Sequence, residues 1–359
     1  MPEESNAVLT GPVQVVGTGL IGTSVALACR RAGLEVLLSD VVPDHVRTAT
    51  GLGAGRPATP EDRPQLVVVA VPPDHLAEGV RDALAAAPDA IVTDVGSVKM
   101  APLDALADQP GRERYVGSHP MAGSERSGPL AASENLFDGR PWAVTPGPGA
   151  LPAGVRLVEL LAEVCGGVVI RLRPDEHDRA VARTSHVPHL VSALVAGTLT
   201  GASADHLALS GQGVRDVTRI AGGDPDLYSQ IISGNAAAVT ALLGELRDRL
   251  DLALEAVRDG DRAGLSSLLA HGVAGTRAIP GKHGGPPRPT AAVRVAVPDH
   301  PGELARLFAD AGDSGVNIED VRIDHDPGRP FGLVELDVAA ESVGELLGAL
   351  ESRGWAAHR

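Results

Sequence analysis

The segment Gly17-Thr18-Gly19-Leu20-Ile21-Gly22 carries three glycines at the spacing of a phosphate-binding turn. In such a turn the first glycine permits a tight bend and the second lets the backbone approach a pyrophosphate. The third lets the following helix pack closely on the preceding strand. The helix that opens there adds free N–H groups and a dipole favourable to anions. Asp40 ends the next apolar strand segment. A carboxylate there bonds a ribose 2′-hydroxyl and repels a 2′-phosphate, so the pattern predicts NAD rather than NADP.

Three further segments fall at or just beyond the ends of apolar runs: Val69-Ala70-Val71-Pro72-Pro73, Asp94-Val95-Gly96-Ser97-Val98-Lys99, and Gly117 through Glu125. Open α/β sheets place their ligand crevice at that edge, which sets Val71, Pro72 and Ser97 beside the cofactor. His119, expected in a loop rich in Gly, Pro and Ser, is an acid–base candidate because imidazole titrates near working pH. A fourth segment, Asp216-Val217-Thr218-Arg219-Ile220-Ala221, holds an acid three residues before a guanidinium, so Asp216 could orient Arg219 or form an ordinary salt bridge. His186 and His189 are spaced like a metal pair, but Pro188 interrupts them and no carboxylate or Cys ligand set accompanies them, so no metal is expected. Lys99, one of only two lysines, is expected to be a solvated surface group that could instead approach the cofactor or hold its loop.

These residues need elements to hold them. Apolar strand runs at Val13–Val16, Glu35–Ser39, Leu66–Val71, Ala90–Val95, Tyr115–Ser118, Trp142–Thr145 and Val168–Leu172 alternate with helical stretches. That pattern predicts a Rossmann-type, doubly wound parallel α/β sheet over residues 1–172. An all-α domain is expected over 173–280, with helices at Asp175–Leu199, Leu207–Arg219, Leu227–Ser233 and Ala236–Val257. In the last of these Val239, Leu242, Leu243, Leu246, Leu250, Leu254 and Val257 form one apolar stripe, suited to packing within the domain or to a subunit interface. Residues 281–290 read as a Pro/Gly linker. Residues 291–359 then read strand, helix, strand, strand, helix, strand, a small ferredoxin-like α+β module.

Composition narrows the partners. A net charge of −15 argues against nucleic acid or an anionic membrane, and no apolar run approaches a membrane span. Two distant cysteines and a polar, acidic start without a signal-peptide pattern predict a reducing, cytoplasmic setting.

Taken together, GTGLIG, VAVPP, TDVGSVK, GSHPMAGSERSG, SHVPH and RDVTRIA resemble the prephenate/arogenate dehydrogenase family over roughly residues 11–280. The module holding Asp299-His300-Pro301-Gly302-Glu303-Leu304 and Gly315-Val316-Asn317-Ile318 looks like an ACT regulatory domain. The resemblance implies NAD-dependent oxidative decarboxylation of prephenate to 4-hydroxyphenylpyruvate, on the route to tyrosine. It gives His119 the role of proton acceptor and has Ser97 contact both that histidine and the cofactor. Arg219 becomes the fork for the ring carboxylate, with His186, Ser124, Glu125 and Asp216 about the substrate, and Arg215 as an ion partner of Glu125. It further implies a homodimer and a tyrosine effector at the ACT-like module. Arogenate is the alternative substrate, and 4-amino-4-deoxyprephenate a more remote one. A β-hydroxyacid dehydrogenase would need a lysine in the helical domain, and residues 173–279 contain none. A non-catalytic NAD- or amino-acid-responsive regulator is disfavoured by the joint presence of Ser97, His119, His186 and Arg219.

Overall fold

A computed structural model of the chain describes residues 7–123, 126–279, 289–324 and 331–359. The chain divides into two compact units, residues 1–250 and 251–359.

The first unit is built on an eight-stranded sheet. Its strands are β1 (Val13–Val16), β2 (Val36–Ser39), β3 (Arg56–Pro57), β4 (Leu66–Val69), β5 (Ile91–Asp94), β6 (Tyr115–Pro120), β7 (Pro141–Thr145) and β8 (Val168–Arg171). They lie in the order β3-β2-β1-β4-β5-β6-β7-β8, which reverses direction of growth between β1 and β4. The apolar run Leu66-Val67-Val68-Val69 shows why such strands do not alternate in polarity. Leu66 and Val68 enter one core, against helices 20–31 and 152–164, while Val67 and Val69 enter another against helix 73–86. A strand covered on both faces needs an apolar residue at every position. Cys29 and Cys165, distant in sequence, are both fully buried in the first of these cores.

The parallel expectation holds for β3 through β6 and fails at the far edge. β7 pairs antiparallel with β6, and β8 runs parallel to β7. Among the described residues no α-helix connects β6 to β7, only the short 3₁₀ turn Pro129–Ala131. Without a crossover helix the chain returns in the opposite sense. The two-residue β3 is too short to show a periodicity and rests on an ion-paired Arg56, which meets Glu35 and Asp62.

Helices follow from Pro174. The expected single helix over 175–199 is two, Pro174–Val181 and Val187–Gly197, joined by a π-helical turn at Ala182–His186. Short helices at Ala204–Leu207 and Gln212–Thr218 and a longer one at Pro225–Gly234 lead into Ala236–Asp259. Val239 is buried with Ala182 and Val187, and Leu242 and Leu243 pack beside it. Leu246 and Leu250, on the same stripe, are exposed.

The second unit contains helix Arg262–Arg277, which sequence periodicity did not reveal and which Asp261 caps by accepting hydrogen bonds from the N–H groups of Ala263 and Gly264. The expected linker at 281–290 lies almost wholly outside the described residues; β9 (Thr290–Pro298) already begins at its end. With β10 (Ile318–Asp324), β11 (Phe331–Ala339) and β12 (Ala356–His358) it forms an antiparallel sheet in the order β10-β11-β9-β12, with helices 303–312 and 343–352. That is the ferredoxin-like topology. Its core gathers Val293, Val295, Leu307, Val334, Leu336 and Leu346.

Candidate active site

The glycine turn joins β1 to helix 20–31. Gly17 has φ +93°, and a Cβ there would collide with the Ala70 carbonyl, so the turn and the Val69-Ala70-Val71 segment can close only around a glycine. A Cβ on Gly22 would strike the Gly17 carbonyl, whereas one on Gly19 would meet nothing within 4 Å. Gly19 therefore faces open space at a helix N-terminus that no side chain caps, which is where a pyrophosphate fits. Asp40 closes the cradle, accepting from the Thr18 N–H (2.6 Å), the Thr18 hydroxyl (3.1 Å) and the Val42 N–H (2.8 Å). Burial alone would raise its pKa, but the hydrogen bonds from Val42 and Thr18 outweigh it and hold the carboxyl below its ordinary range. The residues present thus suit a dinucleotide with free ribose hydroxyls. Val71 lies half-buried against the turn, and Pro72 is exposed beyond it.

At the carboxyl ends of β5 and β6 lies a buried polar network that sequence reasoning missed. Lys99 is 1% exposed, not a surface group. Its Nζ pairs with Asp94 Oδ2 and donates to the Ser118 carbonyl at 2.7 Å. Asp94 also accepts from the Tyr115 hydroxyl (2.8 Å) and the Gly96 N–H (2.9 Å). Burial lowers the pKa of Lys99, opposed by Asp94, and raises that of Tyr115. This network fixes the loop carrying Ser97, which is half-buried.

His119 is not in a loop. It is the fifth residue of β6, paired in register with Ala143 of β7, and is buried. Its Nδ1 lies 2.9 Å from His177 Nε2, and His177 Nδ1 lies 2.8 Å from Asp178 Oδ1. Both histidines are cleanly visible as sequence letters, but nothing in the spacing of Glu176-His177-Asp178 links it to β6. Asp178 receives the N–H groups of Lys99 and Met100, each at 2.9 Å. Asn235 donates to the Asp178 carbonyl (2.7 Å) and lies 3.2 Å from His186 Nδ1. His186, on the π-helical turn, is therefore tied to the same cluster and is 1% exposed. Burial, then the neighbouring His177, Lys99 and His186, push His119 well below the usual imidazole range. Burial likewise lowers His177, and takes His186 down to about 4. The cluster holds neutral imidazoles at neutral pH, each with one ring nitrogen unprotonated.

Other expected residues fall elsewhere. Among the described residues no hydrogen bond joins Ser97 to His119, and Arg219 makes no ion pair. Arg219 is exposed on a 3₁₀ turn, Arg219–Gly222, that packs on helix 187–197. Asp216 does not orient it; its carboxylate accepts from Gln212 at 2.9 Å, one turn back. Ser124 and Glu125 lie outside the described residues. His189 stacks on Tyr228 with centroids 3.3 Å apart, a packing role. No group of three or more His, Cys, Asp or Glu suited to a metal occurs among the described residues.

A dinucleotide cradle that favours NAD, with a buried neutral histidine at the same sheet edge, defines a nicotinamide-dependent dehydrogenase. Residues 25–171 match the family described as prephenate dehydrogenase, nucleotide-binding domain, and residues 173–271 match prephenate dehydrogenase, dimerization domain. The chain belongs to the prephenate dehydrogenase family, and its Rossmann-type half matches that family's nucleotide-binding domain. A Streptomyces niveus protein named probable prephenate dehydrogenase NovF is 36% identical, over 96% of this chain and 98% of its own length. The Aquifex aeolicus prephenate dehydrogenase, solved with hydroxyphenyl propionate and NAD+, is similar at TM-score 0.68 and 28% identity, over 74% of this chain and 98% of that one. A Synechocystis arogenate dehydrogenase is similar at TM-score 0.63 and 27% identity, over 74% and 98%.

Two consequences can be measured. Lys99→Met leaves the Asp94 carboxylate buried without its cation, and the expected loss of stability in denaturant unfolding is about 3–5 kcal/mol. A loss below about 1 kcal/mol would show that the pair is dispensable. His119, His177 and His186 have folded pKa values below 6.5, so on acidification the unfolded chain takes up protons first. Their contribution to stability is complete above about pH 6.5 and declines as pH falls toward 4. Unfolding midpoints should drop across that window; midpoints that hold level would contradict the burial of neutral imidazoles.

Proposed function

We propose that this enzyme oxidises prephenate with NAD and releases CO2 and 4-hydroxyphenylpyruvate. The observation that carries the reading is His119, neutral and buried at the end of β6, with Nδ1 already engaged and Nε2 left as the nitrogen that meets substrate. The family match and the similarity to the Aquifex enzyme support it. When bound in the glycine turn, NAD supplies the hydride acceptor. As hydride leaves ring carbon 4, its hydroxyl sheds a proton, which His119 Nε2 accepts. Loss of the C1 carboxylate as CO2 then makes the ring aromatic and draws the reaction forward.

Arg219 is assigned to the ring carboxylate because its planar fork can hold two oxygens at once, and its exposure leaves the guanidinium available. Ser97, half-buried in the loop fixed by Lys99, is assigned to the nicotinamide side of the site. His186 supports the substrate pocket through its tie to Asn235. Ser124 and Glu125 are assigned to the pocket by motif alone. The exposed Leu246 and Leu250, continuing a buried stripe in a segment matched to a dimerization domain, support a homodimer. The ferredoxin-like module is assigned an ACT-like role with tyrosine as effector, on the strength of its topology and the Asp299–Leu304 segment.

Steady-state rates with prephenate and arogenate, each with NAD and NADP, test the reading directly. Turnover should be highest with prephenate and NAD and slight with NADP; a preference for arogenate would transfer the assignment to that substrate. His119→Asn should lower kcat by roughly two to four orders of magnitude with a modest change in KM, and an undiminished kcat would remove His119 from the chemistry. Arg219→Gln should mainly raise KM for prephenate. Calorimetric titration of the full chain with tyrosine should give saturable binding, and an absence of heat would dismiss the effector role.

A further inference from the structure

The histidine that receives the proton has a partner of its own, and the hydrogen-bond directions along that chain follow from one fixed end. Asp178 Oδ1 accepts the Lys99 N–H and Oδ2 accepts the Met100 N–H. Backbone N–H groups can only donate, so the Asp178 carboxylate is an acceptor on both oxygens. His177 Nδ1, 2.8 Å from Oδ1, must then carry the hydrogen. A neutral His177 consequently presents a lone pair at Nε2. His119 Nδ1 lies 2.9 Å from that nitrogen and must donate to it. His119 is thereby left with hydrogen on Nδ1 and a lone pair on Nε2.

We propose that His177 and Asp178 are positioning residues that hold His119 in the Nδ1–H tautomer, so that Nε2 stands ready as the proton acceptor. The proposal rests on the reading of His119 as the general base. A free histidine side chain favours hydrogen on Nε2, the form that would offer substrate a donor where an acceptor is required. The tautomer of a ring is set by the hydrogen bond its other nitrogen makes, and here all three side chains of the chain are less than 10% exposed, so water does not compete for them. The ring planes of His119 and His177 stand at 68°, an edge-on arrangement that suits an N–H directed at a ring lone pair. Asp178 is itself immobilised from three sides: its oxygens by the loop that carries Ser97, and its carbonyl by Asn235. The orientation of the base is therefore coupled to the cofactor-side loop. After proton uptake the His119 imidazolium still donates through Nδ1, so the chain remains satisfied in both states.

The test combines spectroscopy of the unaltered enzyme with two variants. Long-range ¹H–¹⁵N spectra of histidine-labelled full-length protein, with the His119 signals identified by their absence in His119→Asn, should show hydrogen on Nδ1 in the wild type. His177→Leu removes the acceptor; it should shift His119 toward the Nε2–H form and lower kcat with prephenate by roughly 100-fold or more, with KM changed less than about threefold. His177→Gln restores an oxygen acceptor near the Nε2 position and should recover at least about tenfold of that loss. Hydrogen on Nε2 of His119 in the wild type, or an unchanged kcat in His177→Leu, would overturn the proposal. Should His177→Leu fail to fold, the wild-type tautomer decides alone. A wild-type enzyme inert toward prephenate but carrying Nδ1–H would instead defeat the substrate assignment and leave the tautomer inference standing.

Discussion

A single ion pair, Lys99 with Asp94, stands under everything the site does. Neither charge reaches water, so each must be satisfied by protein groups, and the pair does so by recruiting the Tyr115 hydroxyl, the Gly96 N–H and the Ser118 carbonyl. Those partners belong to β6 and to the loop between β5 and the next helix. Satisfying the pair therefore freezes the loop that presents Ser97 and the strand end that presents His119. The same frozen loop turns two N–H groups toward Asp178, which brings helix 174–181 onto the sheet edge. Stability and catalysis share one set of contacts here.

The division between what could and could not be read from residues alone follows the range of the interactions. Glycine spacing, the Asp40 carboxylate and the apolar runs of β1, β2, β4, β5 and β6 are local patterns, and the fold they imply is the fold observed. The antiparallel turn of β7 was hidden because Trp142–Thr145 reads as the same apolar run in either direction; direction is a property of the connection. The π-helical turn at Ala182–His186 was hidden because hydrophobic spacing is too coarse to register a locally widened turn. The burial of Lys99 is not legible in the sequence because it depends on a carboxylate and a carbonyl from other elements. The role of His177 and Asp178 is hidden for the same reason: next to each other in sequence, they act on a residue in another element.

Residue types also constrained one another. Val67 and Val69 occupy one core and Leu66 and Val68 the other, so β4 has no face to spare for a polar group. Chemistry is pushed to the strand ends, where β5 and β6 exchange apolar side chains for Asp94, Ser118 and His119. The dinucleotide cradle sits at the corresponding end of β1, and the parallel direction of β1, β4, β5 and β6 keeps cradle and histidine on one edge.

The π-helical turn has a consequence for how this region can vary through descent. A widened turn holds one residue more than an α-helix of the same height, and each residue of an α-helix advances about 100° around its axis. Losing one residue between Ala182 and His186 would return the segment to regular helix and swing everything downstream relative to helix 174–181. His186 would leave Asn235, and His189 would leave Tyr228. Within the segment, side chains other than the buried Ala182 and His186 can therefore change without moving the site, while its length is locked.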